Sequence, residues 1–107
     1  MRARALAFAC VCFCLAATLP LLAADDKPGK RTGEQVYQTY CGSCHGGGWQ
    51  GAPVAYDENE WKPRLENGFD AMFQNAKKGM NAMPPMGTCM DCTDEELRAS
   101  IEEMLRF

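Results

Sequence analysis

Residues 41–45 read Cys41-Gly42-Ser43-Cys44-His45, "CGSCH", the most chemically constrained stretch of the chain. Two thiols stand three positions apart, and the only histidine of the chain follows the second directly. Three chemistries use such a turn. A redox dithiol works with the two sulfurs alone. A zinc site takes them as two of four ligands, and Cys89 and Cys92 could supply the others. Covalent haem uses all three side chains: each thiol adds to a vinyl group, and the histidine beside Cys44 is held under the ring, against the iron. Neither of the first two chemistries needs a histidine at that position. The third does.

The segments around the pentapeptide narrow the choice. The 107 residues allow one domain. Met1 to Ala24 carries Arg2 and Arg4, then an uncharged apolar run from Ala5 to Leu22, then Ala23 and Ala24. That order of charge, apolar run and small residues is the order of a secretory signal peptide. The run is of borderline length for a membrane span, so a retained N-terminal anchor is the alternative. Pro20 and the small residues after it favour cleavage before Asp25. Residues 25–31, "DDKPGKR", then read as a flexible lead-in, and 32–107 as the folded domain.

Cysteine usage agrees with export. Of seven cysteines, Cys10, Cys12 and Cys14 lie in the leader, and the four that remain form two pairs of equal spacing. The periplasm is an oxidising compartment in which paired thiols persist as disulfides. Loss of Arg2 and Arg4 takes the net charge from −3 to −5. Such acidity argues against nucleic acid and anionic lipid and suits a partner with a basic docking patch. A domain of roughly 80 residues is near the size where an apolar core alone is marginal, so it leans on disulfides, metal or cofactor.

No segment alternates in the manner of a strand, and helical signals recur. Thr32 with Gln35 is a capping-box pattern opening a helix that ends near "CGSCH". Asp57 with Glu60 is another, opening a short helix with Trp61 and Leu65 that stops at Asn67-Gly68. Phe69, Met72, Phe73 and Ala76 repeat at helical spacing before Gly79. Thr93 with Glu96 opens the last helix, whose apolar positions are Leu97, Ile101, Met104 and Leu105. The expected fold is all-α and loop-rich, with about four short helices around one covalently bound haem.

Haem iron in such a domain takes a second protein ligand. With one histidine present, two-histidine ligation within the chain is excluded, and methionine is the remaining good donor. Met80, Met83, Met86 and Met90 crowd one loop. Met83 precedes Pro84-Pro85, whose rings stiffen the backbone and reduce the entropy lost on fixing a sulfur. Met86 is the rival. Met72 and Met104 sit at core spacing on helices.

At this point the chain resembles a class I c-type cytochrome and is similar to the small bacterial c-five subgroup. The resemblance rests on "GEQVYQTYCGSCH", "GAP" at Gly51–Pro53, "WKPR" at Trp61–Arg64, "MPPMG" at Met83–Gly87, "CMDC" at Cys89–Cys92 and the final "DEELRASIEEML". It spans essentially the whole of 32–107. It implies haem thioethers at Cys41 and Cys44, His45 as proximal iron ligand and Met83 as distal ligand. It also implies that the Pro53 carbonyl accepts from the His45 imidazole and that Cys89 and Cys92 form a short disulfide. Trp61 would line the haem edge, Arg64 would reach a propionate, and Gly33 would let the first and last helices cross closely. Met86 stands where many relatives carry a basic residue.

The function implied is a monomeric periplasmic electron carrier, not an enzyme, shuttling single electrons between redox partners such as membrane oxidases or reductases. Histidine and methionine hold iron in both oxidation states, and a saturated iron has no open position for peroxide or oxygen. The contact surface would be the apolar loop residues near the thioether cysteines, Trp49 among them. The alternatives are a haem enzyme or gas sensor with an open distal position, a thiol–disulfide oxidoreductase, and a zinc module.

Overall fold

The computed structural model describes residues 26–107. The signal-peptide assignment over 1–24, the choice between cleavage and anchoring, and Cys10, Cys12 and Cys14 lie outside the described residues. Among the described residues no helix is long and apolar enough to cross a membrane. There is also no β-strand, only an isolated bridge pairing Met80 with Met83.

The Thr32 box forms as its spacing predicts. Thr32 Oγ1 accepts from Gln35 N at 3.2 Å, and Gln35 Oε1 accepts from Thr32 N at 2.7 Å, so two otherwise orphaned amides are satisfied. The helical stretch that follows is not uniform. Helix α1 (Gly33–Val36) runs into a π-helical turn (Tyr37–Cys41) and then into α2 (Gly42–His45). A π-turn takes one residue more than an α-turn, and such turns gather at functional sites. This one carries Cys41 and delivers Cys44 and His45.

Helix α3 (Glu58–Leu65) is capped by Asp57, whose Oδ1 accepts from Asn59 N at 3.0 Å. The reciprocal half of this box does not form: Glu60 Oε2 accepts from Val54 N instead, at 3.1 Å. Helix α4 (Phe69–Lys78) buries Met72, Phe73 and Ala76 on one face, and Lys77 and Lys78 fall in its last turn. Helix α5 (Asp94–Met104) has a complete box, with Thr93 Oγ1 to Glu96 N at 3.2 Å and Glu96 Oε2 to Thr93 N at 3.0 Å. Leu97, Ile101 and Met104 are its buried stripe, and with Trp61, Met72, Phe73 and Cys41 they form the core. Arg98 of α5 lays its guanidinium 3.8 Å from the Phe73 ring centre and pairs with Asp70 at 2.7 Å, which ties α4 to α5.

Helix α1 packs on α5. A Cβ added at Gly33 would lie 2.1 Å from the Ala99 carbonyl oxygen, so the crossing requires glycine. The expectation from the resemblance is met in the strictest form: the obstacle is backbone, which has nowhere to go.

One expectation is corrected here. Residues 29–31 do not form a flexible lead-in, because the Glu96 carboxylate fastens them to α5. Gly29 N and Arg31 N donate to its Oε1 at 2.7 and 3.0 Å, and Arg31 Nη2 donates to its Oε2 at 2.9 Å. The Arg31 and Glu96 side chains are only 6% and 4% exposed. Arg31 also reaches Asp91 Oδ1 at 3.1 Å, in the loop between Cys89 and Cys92. The sequence around Arg31 is polar and Gly/Pro-rich, but a buried charge left without a partner is costly, so partner choice overrides local composition.

Two outcomes test this fold. Gly33→Ala is expected to lower stability by about 1–3 kcal/mol through overpacking, read by denaturant unfolding. Gly47→Ala, where an added Cβ meets nothing within 4 Å, should be near neutral. The second outcome concerns pH. The Arg31 guanidinium, then the Thr93, Arg31 and Gly29 amides, hold the Glu96 carboxyl at about 2, below its ordinary 4.5, against a desolvation that opposes them. A carboxyl lowered on folding stabilises the native state above its unfolded value, and that stability is lost as pH falls toward the folded value. Stability should therefore fall between about pH 4.5 and pH 2. Glu96→Gln, measured across the same range, should be less stable at pH 7 and show a shallower loss.

Candidate functional site

Helix α2 ends at His45, which is buried, with Cys41 buried and Cys44 half-buried beside it. Both cysteines are free thiols. Burial pushes the Cys41 thiol up to about 11, against a smaller opposing effect from Ser100. A thiol–disulfide catalyst needs the reverse, a thiolate at neutral pH. The same burial would suit a thioether, which carries no charge to desolvate.

The imidazole is fixed from several directions. His45 Nδ1 lies 2.8 Å from the Pro53 carbonyl oxygen. A carbonyl can only accept, so Nδ1 carries the proton and donates, and the lone pair is on Nε2. The ring stacks against Trp61, with centres 5.8 Å apart and planes inclined by 27°. Trp61 is itself buried and donates from Nε1 to Val54 O at 2.8 Å. Ala55 N donates to His45 O at 2.7 Å, and Tyr56 N to Met104 O at 2.8 Å. Four consecutive residues, 53–56, thus form a strap whose backbone is bonded to α2, α3 and α5. The spacing in "GAP" points to Pro53. Nothing in the sequence points to Val54 or Glu60 as its supports, because Glu60 fits a capping pattern equally well.

The methionine loop is shaped by backbone. Gly79 has φ +83°, and a Cβ there would lie 2.9 Å from Met83 O and Pro85 N. Met80 and Met83 exchange backbone bonds of 3.0 and 2.9 Å, closing a tight turn just before the two prolines. Met83 and Met86 are both half-buried and pack against the core that contains Cys41 and Trp61. Met86 has φ +59°, a left-handed backbone unusual for its type. Met80 and Met90 are exposed. Arg64 is exposed and donates to the Glu60 carbonyl one turn back on α3, so its side chain lies along the helix surface.

Cys89 and Cys92 form a disulfide with Cα atoms 5.4 Å apart. Cys89 is wholly buried, and Asp91 between the two takes the bond from Arg31. The bond joins the methionine loop to the start of α5. It also removes the four-thiolate zinc alternative, since these two sulfurs are already spent on each other.

The donor set fits haem. Two unpaired thiols three residues apart, and an imidazole whose Nδ1 is committed to a carbonyl, leave Nε2 as the basic nitrogen for a metal. Comparison with known proteins agrees. The family described as cytochrome c oxidase, cbb3-type, subunit III matches residues 28–102. Cytochrome c5 of Azotobacter vinelandii is 45% identical over 78 residues, covering 71% of this chain and 94% of that one. A mono-haem ferrocytochrome c from Shewanella putrefaciens is similar in structure, with a TM-score of 0.65, 44% identity, and coverage of 69% of this chain and 91% of that one. A cytochrome c in an electron-transfer complex with nitrite reductase also reaches 0.65, at 37% identity, over 68% and 89%. The chain belongs to the small mono-haem class I cytochromes c, of the cytochrome c5 type. It binds one covalently attached haem c and is an electron carrier rather than an enzyme.

Removal of the disulfide by the paired changes Cys89→Ala and Cys92→Ala should lower stability by about 2 kcal/mol, the loop closed being short. Denaturant midpoints measure the loss. The mass of the variant should still include haem, since Cys41 and Cys44 are left intact.

Proposed function

We propose that Cys41 and Cys44 carry the haem thioethers, that His45 Nε2 and the Met83 thioether are the two axial ligands of the iron, and that the protein shuttles electrons in the periplasm. The observation that carries this reading is the 2.8 Å bond from His45 Nδ1 to Pro53 O. It fixes the tautomer, holds the ring and commits the other nitrogen to a single task. Bound haem supplies an iron that gains and loses one electron.

The residues of the chain do the rest. Trp61 and the strap over 53–56 hold the imidazole still, so little has to reorganise when charge changes. The Met80–Met83 turn and Pro84-Pro85 hold the Met83 backbone, which favours a thioether that stays bound in both oxidation states. Sulfur donation raises the reduction potential. The surface next to the site is suited to short encounters. Residues 35–56 and 79–90 contain no Asp, Glu, Lys or Arg, and Trp49 in the first stretch is 61% exposed. An uncharged contact surface of this kind fits a small, transient interface. One structural neighbour is bound to nitrite reductase. A soluble or membrane redox enzyme is accordingly the class of partner proposed for this chain, which acts as a monomer. Arg64 is assigned to a haem propionate only if its side chain leaves the helix surface.

Met83→Leu is expected to abolish the sulfur-to-ferric-iron absorption band at the red end of the spectrum and to lower the reduction potential. Met86→Leu should leave both unchanged. Persistence of the band in Met83→Leu, with its loss in Met86→Leu, would transfer the ligand to Met86. Carbon monoxide binding by the reduced parent would instead favour the open-site alternative. The mass of holoprotein from a periplasmic extract should equal the chain from Asp25 plus one haem.

A further inference from the structure

The position of Glu60 beside the strap has a chemical side as well as a structural one. Its Oε2 accepts from Val54 N at 3.1 Å. That N–H and the Pro53 carbonyl are the two ends of one peptide group. The carbonyl end accepts from His45 Nδ1 at 2.8 Å. A half-buried carboxylate is therefore linked to the imidazole through a single amide: carboxylate, peptide N–H, peptide C=O, imidazole N–H.

An anion on the N–H side of an amide pushes nitrogen electron density into the carbonyl, and hydrogen bonds in such a chain strengthen one another. A more negative Pro53 oxygen draws the Nδ1 proton harder, which makes the ring a stronger donor at Nε2. The surroundings preserve the effect. Glu60 lies in the first turn of α3, the helix end at which negative charge is favoured. Among the described residues its carboxylate enters no ion pair, whereas Glu58 on the same helix is paired with Lys62. The neighbouring peptide is fixed by Trp61 Nε1 on Val54 O, so the relay cannot rotate out of line.

We propose that Glu60 is a positioning residue that, through the Pro53–Val54 peptide, enriches the His45 imidazole and holds the reduction potential of the haem below the value its ligands alone would set. This rests on His45 being an iron ligand. Glu60→Gln is the decisive variant, because the amide oxygen can still accept from Val54 N while the charge is gone. In the holoprotein the reduction potential should rise, by several times the change seen in Glu58→Gln. In the reduced, diamagnetic protein the His45 Nδ1 proton resonance should move to lower frequency as its hydrogen bond weakens. The red-end sulfur–iron band and the denaturant midpoint should stay as in the parent. A rise in potential with an unmoved Nδ1 resonance would mean a plain through-space charge effect and would overturn the relay. So would an unchanged potential. Absence of histidine–iron ligation in the parent spectrum would defeat the underlying assignment instead, and the two failures are thus distinct.

Discussion

The protein is organised around one hydrogen bond. An imidazole has two nitrogens, and a metal ligand needs to have one of them basic and aimed. Donation from Nδ1 to the Pro53 carbonyl achieves both at once. Much of the structure can be understood as support for that bond. The π-turn and α2 deliver His45 from one side. The strap from Pro53 to Tyr56 approaches from the other, fastened to Trp61, to the His45 carbonyl and to Met104. Each fastening uses a backbone group that would otherwise be an unpaired polar atom near the core, so the constraint on the ring is met while those groups are satisfied.

The domain around this bond is small, and its stability comes from a few contacts of high consequence. The crossing of α1 over α5 is so close that a single methyl group at Gly33 has no room. The carboxylate of Glu96 gathers two backbone amides and the Arg31 guanidinium in addition to its own cap. Arg31 in turn reaches Asp91, within the disulfide loop. The first residues of the domain, the start of the last helix and the loop leading from the methionines are therefore one connected unit. Chain segments distant in sequence hold the methionine loop, just as the strap holds the His45 imidazole.

How much of this could be read in the sequence depends on distance along the chain. The pentapeptide at 41–45, the Thr32 and Thr93 boxes and the α4 stripe are local patterns, and each appears as its spacing requires. The Arg31–Glu96 pair joins residues 65 positions apart, and nothing near Arg31 reveals it, so a docked segment passed for a flexible one. Glu60 shows a different limit. Its spacing from Asp57 fits a cap, and the structure gives its oxygen to Val54 because the strap brings an amide within reach. The π-turn was hidden as well, since an inserted residue changes no residue type and leaves the apolar pattern on either side intact.

That π-turn bears on how the chain can vary. Each residue added to a helix advances its side chains by about 100°. The extra residue within Tyr37–Cys41 therefore sets the angular phase between the face of α1 that meets α5 and the face of α2 that presents His45. Deleting one residue there would yield a more regular helix with His45 turned away from the strap. A substitution at 37–40 keeps this phase, whereas an inserted or deleted residue shifts it, so the count of residues between Gly33 and Cys41 is a constraint separate from their identities.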